Sequence, residues 1–134
     1  MQAMAPSGVE MLVGVVADAR FGPVVACGAG GTAVELLGDV QVRLAPVSAL
    51  EAQQMIHGLR TFALLDGFRG APPADLGALE DVIVRVGALA AAHPEIVELD
   101  LNPVIATATG AVIVDARVRV ERPARRPPFP ARGR

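Results

Sequence analysis

The sequence predicts an α+β fold in which a mainly antiparallel sheet carries two amphipathic helices. Short runs of alternating apolar and polar residues, separated by turn-forming clusters, fill the first third of the chain and indicate strands. The middle of the chain changes to the apolar spacing of helices, and alternation returns from Ile96 onward. This order of strands, two helices and a final hairpin is typical of helices packed on an antiparallel sheet.

The first strands are predicted at residues 9–17, 24–27, 32–37 and 40–44. The first of them is almost continuously apolar, as expected of a buried strand, and a turn at 18–23 joins it to an antiparallel partner. The glycine cluster at 28–31 favours positive φ and close strand contact, with a weak phosphate-binding nest as the alternative. In the last of these strands Gln41 and Arg43 form a polar side.

Two helices follow. The first begins at a capping box, in which the Ser48 hydroxyl accepts from the Glu51 N–H while the Glu51 side chain accepts from the Ser48 N–H. Its predicted apolar face consists of Ala52, Met55, Ile56 and Leu59. An irregular or partly helical link at 62–70 leads to the second helix, which begins at Asp75 and ends before His93. Its predicted apolar face consists of Leu76, Leu79, Ile83, Val86 and Leu89 or Ala90.

The candidate functional residues lie in the final hairpin. In the strand predicted at 96–106, Glu98, Asp100 and Asn102 share one face because successive side chains point to opposite sides. Regular pairing is expected to stop at Pro103.

A second strand is predicted at 111–120, after a turn at 107–110. One face of it is expected to carry Val112, Val114, Ala116, Val118 and Val120. If the two strands form a hairpin, Asp115 on its other face comes onto the same face as Asp100 and Asn102. Carboxylates gathered in this way repel one another, so either water solvates the face or a cation binds there. Mg²⁺ fits, because it accepts one or two carboxylates and completes its shell with water and phosphate oxygens.

Each candidate also has a plainer interpretation. Glu98 is a surface carboxylate if it pairs with Arg117 or Arg119. Glu10, isolated in an apolar strand, is either the partner of an arginine or an acceptor for the hydroxyls of a bound sugar. Arg43 either binds an oxyanion or forms an ordinary ion pair.

Composition excludes several classes of protein. The 134 residues suit one domain, and the lack of Trp and Tyr implies an aliphatic core. No lysine is present, so the glycine cluster is not a Walker-type phosphate loop. A single cysteine, Cys27, no signal-peptide pattern and no apolar run of about 20 residues predict a cytoplasmic protein without a membrane partner.

The charge is unevenly distributed. The chain up to residue 116 holds five arginines and thirteen acidic residues, whereas 117–134 holds seven arginines and one acidic residue. We expect 121–134 to be a disordered Arg/Pro-rich tail rather than a nucleic-acid-binding segment, because aromatic residues are nearly absent from it.

Eight motifs in order resemble one family. They are GVEMLVGV at 8–15, FGPVV at 21–25, the glycines of 28–31, VE at 34–35, RLAP at 43–46, LxGxRG at 65–70, ELDLNP at 98–103 and DAR at 115–117. Together, over about residues 3–120, they resemble the C-terminal half of the ATP-grasp domain of NDP-forming acyl-CoA synthetases, such as ADP-forming acetyl-CoA synthetase and related multidomain acetyltransferases. As an ordered set this resemblance is specific.

The resemblance implies an ATP or ADP site between two lobes, where a phosphoryl group is exchanged between nucleotide and a phosphohistidine, coupled to acyl-CoA formation. It implies Asn102 and Asp115 as Mg²⁺ ligands and Asp100 as the acidic residue that assists the metal or the phosphohistidine. Glu10 would accept from the ribose hydroxyls, Met4 would belong to the adenine-contacting hinge, and Arg43 and Arg117 would bind phosphates.

It also implies domain limits and partners. Residues 1–120 would be the C-terminal subdomain, with the front lobe and its lysines missing. We therefore expect a second polypeptide to supply that lobe and the CoA-binding and ligase domains, and the chain alone to be inactive. The alternative is a non-catalytic interaction or regulatory domain derived from the same fold.

Overall fold

The computed structural model describes residues 8–30, 38–67 and 70–122. The predicted strand at 32–37, the hinge residue Met4 and the tail beyond residue 122 lie outside these ranges. In the described ranges, no helix is long and apolar enough to cross a membrane.

The predicted α+β fold is confirmed. In the part of the chain that the structure describes, six strands form one sheet, and their bounds are Val9–Asp18 (β1), Gly22–Ala29 (β2), Val40–Leu44 (β3), Ile96–Thr107 (β4), Gly110–Ile113 (β5) and Ala116–Val120 (β6). Their order is β3-β2-β1-β4-β5, and β6 also pairs with β4. Every pairing is antiparallel, so β4 lies at the centre, between β1 and the β5–β6 edge.

Between β3 and β4 the described residues form three α-helices, at Ala49–His57 (α1), Phe62–Leu65 (α2) and Leu76–Ala92 (α3). The capping box is confirmed, with both Ser48–Glu51 hydrogen bonds at 3.0 Å. The apolar face of α1 is buried as predicted. In α3 the core-facing residue near the end is Ala90, whereas Leu89 is exposed.

The core lies between the helices and one face of the sheet. Met11, Val13 and Val15 of β1 point into it, together with Val25 and Cys27 of β2. The opposite face of β1 carries Glu10, Leu12, Gly14 and Val16, and Val16 is exposed. We call this second side of the sheet, away from the helices, the open face.

Halfway along the hairpin formed by β4, β5 and β6, the side chains of alternate residues exchange sides of the sheet. Leu101 pairs with Ala116, and regular pairing resumes only at Val104 and Ile113. Pro103 lies in the break, as expected, since it has no N–H for the ladder. Leu101 and Val104 are three residues apart and both buried in the core, so the side-chain alternation reverses across the break.

The prediction of one continuous strand at 111–120 is therefore wrong. Val112 pairs with Ile105, which also pairs with Glu10, whereas Val118 pairs with the core residue Leu99. Val112 and Val118 thus lie on opposite faces of the sheet. The bend at 114–115 separates β5 from β6.

One buried carboxylate joins the β2–β3 hairpin to the loop after α1. Asp39 is 5% exposed and accepts hydrogen bonds from the Arg60 N–H (2.7 Å), the Thr61 N–H (2.8 Å) and the Thr61 hydroxyl. Burial raises the pKa of Asp39, but these bonds and the charge of Arg60 outweigh burial and hold the pKa below its ordinary value. The group is structural, because each of these partners belongs to the connecting loop.

Candidate functional site

Asp100 occupies the middle of the open face. It pairs with Gly14 of β1 on one side and with Arg117 of β6 on the other. Residues that pair directly across antiparallel strands have side chains on the same face. Asp100 is half-buried, so its carboxylate lies on a firm support and is still reachable from solvent.

Asn102 and Asp115 lie next to it, at the break in the hairpin. The Asn102 N–H donates to the Asp115 carbonyl at 3.1 Å, and both residues are exposed. The Asp115 Oδ2 lies 3.8 Å from the Arg117 Nε, which places this carboxylate on the open face. Asn102 follows Asp100 by two residues, before the alternation reverses. The backbone thus places Asp100, Asn102 and Asp115 beside one another at this end of the hairpin.

A ladder of charges continues along the open face away from the break. Arg119 Nε lies 3.4 Å from Glu98 Oε1, and Arg119 Nη1 contacts the Glu121 carboxylate. A shallow pocket runs over Glu98, Asp100, Arg117, Val118 and Arg119. Glu98 therefore has the arginine partner that its plainer interpretation requires.

Glu10 and Arg43 are placed differently from each other. Glu10 lies on the open face, four residues before Gly14 and therefore about 13 Å from it along β1. Arg43 pairs with the core residue Val25, which puts it on the helix side of the sheet. Its Nη1 donates to the Val42 carbonyl at 2.8 Å. The expectation that Arg43 joins the other candidates is thus corrected: its strand has its polar side towards the helices and its apolar side on the open face.

Gly14 is a feature of this site that the sequence interpretation missed. A Cβ at this position would lie 3.0 Å from the Leu99 carbonyl oxygen and 4.0 Å from the Asp100 Oδ1. The missing side chain therefore leaves a depression beside the Asp100 carboxylate. The available signal was a glycine at the centre of a strand otherwise rich in valine, which indicates close approach of another group.

The oxygen donors on this face fit Mg²⁺. Asp100 and Asp115 supply carboxylates and Asn102 an amide oxygen, all hard ligands, and the neighbourhood is open enough for water and phosphate to complete an octahedral shell. Within the ranges that the structure describes, no three His, Cys, Asp or Glu side chains are grouped closely enough to hold a metal by themselves. A cation here would depend on the Asn102 amide and on ligands that do not belong to this hairpin.

Cys27 offers no nucleophile to this site. Burial, with a smaller contribution from the charge of Asp39, raises the pKa of its thiol to about 12. Its side chain points into the core, on the opposite side of the sheet from Asp100.

Comparison with known proteins agrees with the resemblance seen in the sequence. The family model of the ATP-grasp domain matches residues 1–120. The chain is 45% identical over 115 residues to the beta subunit of acetate–CoA ligase (ADP-forming) I of Pyrococcus furiosus, covering 86% of this chain and 50% of the subunit. It is 42% identical over 118 residues to acetate–CoA ligase (ADP-forming) I of Archaeoglobus fulgidus, covering 88% of this chain and 17% of the ligase.

A solved relative has the same fold. The dinucleotide-forming acetyl-coenzyme A synthetase 1 of Candidatus Korarchaeum cryptofilum superposes with a TM-score of 0.84 at 45% identity, covering 87% of this chain and 55% of that one. That protein was solved with coenzyme A and Mg-AMPPCP, with its phosphohistidine segment pointing towards the nucleotide-binding site. The chain spans about half the length of the Pyrococcus subunit that it matches.

Proposed function

The chain belongs to the ATP-grasp domain family, and from this premise we propose that it supplies the magnesium-binding face of the nucleotide site in an ADP-forming acyl-CoA synthetase. The observation that carries the proposal is the placement of Asp100, flanked in register by Gly14 and Arg117 on the open face. Three features that a metal-bound phosphate requires thus lie side by side: oxygen ligands for the metal, space for the phosphate, and the positive charge of Arg117.

Each residue has a separate role in this proposal. Asn102 and Asp115 hold Mg²⁺, and Asp100 assists from the neighbouring position. Arg117 contacts the phosphates as a planar, permanently charged donor. Glu10 accepts from the ribose hydroxyls farther along β1. Arg43 has no part, because it lies on the helix side of the sheet.

Phosphoryl transfer depends on positioning of the reactants and neutralisation of charge more than on covalent catalysis by the protein. When bound, Mg²⁺ supplies charge neutralisation on the nucleotide phosphates. The chain's own residues orient the phosphates against β4 and β6, and Arg117 offsets part of their negative charge. The phosphoryl acceptor in this proposal is the histidine of the synthetase's phosphohistidine segment, which becomes phosphorylated as ATP is converted to ADP.

The rest of the nucleotide site belongs, in this proposal, to a polypeptide that corresponds to the parts of the relatives that this chain does not cover. That polypeptide would supply the facing lobe and the CoA-binding and ligase domains. The chain alone would then bind nucleotide weakly and turn over no substrate.

Calorimetry of Mg²⁺-ATP and Mg²⁺-ADP binding tests the proposal. We would titrate the chain alone and together with the half of the Pyrococcus furiosus subunit that it does not match. Binding is expected in at least the second case, with a loss of about tenfold or more for Asp100→Asn combined with Asp115→Asn. The matched control is Arg43→Ala, a charged residue of the same sheet on the other face, which should bind as wild type. Absence of binding in both cases, or equal binding by the double variant, would reject the proposal.

A further inference from the structure

We propose that Arg117 couples metal binding to phosphate binding, because its guanidinium neutralises the Asp115 carboxylate until a divalent cation takes its place. This inference rests on the proposed function and adds an order of events to it. In the structure Arg117 is the counter-charge of Asp115. When that carboxylate is engaged by a cation, the guanidinium is free to bind a phosphate.

The geometry of Arg117 places it between two carboxylates. It pairs across the ladder with Asp100, and along its own strand its Nε lies 3.8 Å from the Asp115 Oδ2. Both groups are proposed to serve the metal. The guanidinium and a divalent cation would therefore neutralise the same negative charge, and two cations at one position repel each other.

The Asp115–Arg117 contact is suited to being exchanged. The Arg117 side chain is 82% exposed and that of Asp115 is 57% exposed, and exposed ion pairs of this length contribute little to stability. A divalent cation attracts the carboxylate more strongly than a single guanidinium charge does. Arg117 can therefore leave Asp115 without disturbing the sheet, and its length lets it turn towards a ligand over the open face.

Arg119 shows that this arrangement is particular to Arg117. Arg119 lies two residues farther on the same strand and the same face, but it contacts two carboxylates, Glu98 and Glu121. Neither of these is among the proposed metal ligands. The contacts of Arg119 thus involve no proposed metal ligand, and Arg119 provides a matched control of the same residue type.

Replacing Arg117 should change the affinities for metal and for Mg²⁺-ADP in opposite directions. In Arg117→Gln the metal no longer competes with a guanidinium for the Asp115 carboxylate. The affinity for a metal alone should therefore rise, by about two- to fivefold for a weak exposed pair. The affinity for Mg²⁺-ADP should fall, by about tenfold, because a charge-assisted contact to phosphate is lost. A purely structural arginine would lower both affinities, and a simple phosphate-binding arginine would leave metal binding unchanged.

The experiment measures Mn²⁺ binding by electron paramagnetic resonance and Mg²⁺-ADP binding by calorimetry. It compares wild type, Arg117→Gln, Arg117→Lys and Arg119→Gln, in the assembly that binds nucleotide. The expected result is the opposite-sign pair of changes for Arg117→Gln and wild-type values for Arg119→Gln. In Arg117→Lys, which keeps the charge, both affinities should return towards wild type.

Two kinds of result overturn the inference and are distinguishable. If wild type binds Mn²⁺ and Mg²⁺-ADP but Arg117→Gln changes both affinities in the same direction, or leaves that for Mn²⁺ unchanged, only the coupling is refuted. If wild type binds neither ligand in any assembly, the proposed function fails as well. Thermal unfolding of each variant shows whether a loss of binding comes from a loss of fold.

Discussion

Replacing Asp39 by alanine should destabilise the chain without affecting the open face. The Asp39 carboxylate accepts three hydrogen bonds from Arg60 and Thr61, and it is 5% exposed. Asp39→Ala removes the acceptor and leaves two backbone N–H groups and a hydroxyl to find other partners. The β2–β3 hairpin would then lose its attachment to the loop that follows α1.

The size of the effect follows from the hydrogen bonds. Each hydrogen bond to a charged acceptor contributes about 1.5–3 kcal/mol, and the lower end applies here because the donating residues are not fully buried: Arg60 is exposed and Thr61 is half-buried. Counting the two backbone N–H bonds at that lower value, with the Thr61 hydroxyl free to rotate to another partner, we expect Asp39→Ala to cost about 3 kcal/mol of the free energy of unfolding, and Asp39→Asn about half of that. The control is Asp18→Ala. Asp18 accepts from the Arg20 and Phe21 N–H groups at 2.7 and 3.0 Å in an exposed turn, so its loss should cost only about 1 kcal/mol.

Urea unfolding at several pH values measures the effect. Because folding lowers the pKa of Asp39, its stabilising contribution is complete above the unfolded-state pKa of about 4. It is lost as the pH falls through the still lower pKa of the folded chain. The difference between wild type and Asp39→Asn should therefore shrink on acidification. A cost for Asp39→Ala no larger than that for Asp18→Ala, or a difference that does not change with pH, would refute this reasoning.

Three further predictions concern other positions. Gly14→Val should weaken Mg²⁺-ADP binding by about tenfold or more, measured by calorimetry, because its side chain would fill the depression beside Asp100; equal affinity in a folded variant would show that the depression is not used. Glu10→Gln should lower nucleotide affinity by about tenfold, measured by calorimetry, because a carboxylate acceptor for the ribose hydroxyls is lost; equal nucleotide affinity in a folded variant would contradict its proposed role. Cys27 should react with a thiol reagent at pH 8 at least about a hundredfold more slowly in the native chain than in urea, because its pKa of about 12 and its burial withhold the thiolate; comparable rates would be inconsistent with this core position.

Local signals in the sequence were sufficient for most of the fold. The capping box at Ser48 and the apolar spacing of the helices depend on contacts within a few residues, and the structure has them as predicted. The alternation of Glu98, Asp100 and Asn102 is also local, because a strand determines which side chains share a face. The expectation that Asp115 joins them came from the short hairpin turn, and the structure places the Asp115 backbone beside that of Asn102.

The errors arose where the outcome depends on register or on distant partners. Arg43 looked like part of a solvated face, but the pairing of β3 with β2 turns it towards the helices. No short segment of the sequence specifies the register in which β3 pairs with β2. The reversal of side-chain alternation at Pro103 was not predicted either. A break in the ladder moves the side chain of every residue beyond it, including Val112, to the other face of the sheet. Gly14 became informative only when Asp100 was seen to lie opposite it.

The most direct test of the central claim is where a bound metal–nucleotide complex lies on the sheet. In the assembly that binds nucleotide, with only this chain isotope-labelled, Mn²⁺-ADP should broaden the NMR signals of the backbone amides nearest to the ion. We predict strong broadening at Gly14, Asp100, Asn102 and Arg117, and much weaker broadening at the α1 residues Met55 and Ile56. Broadening centred on the helix side, or spread evenly over the chain, would contradict a metal site on the open face.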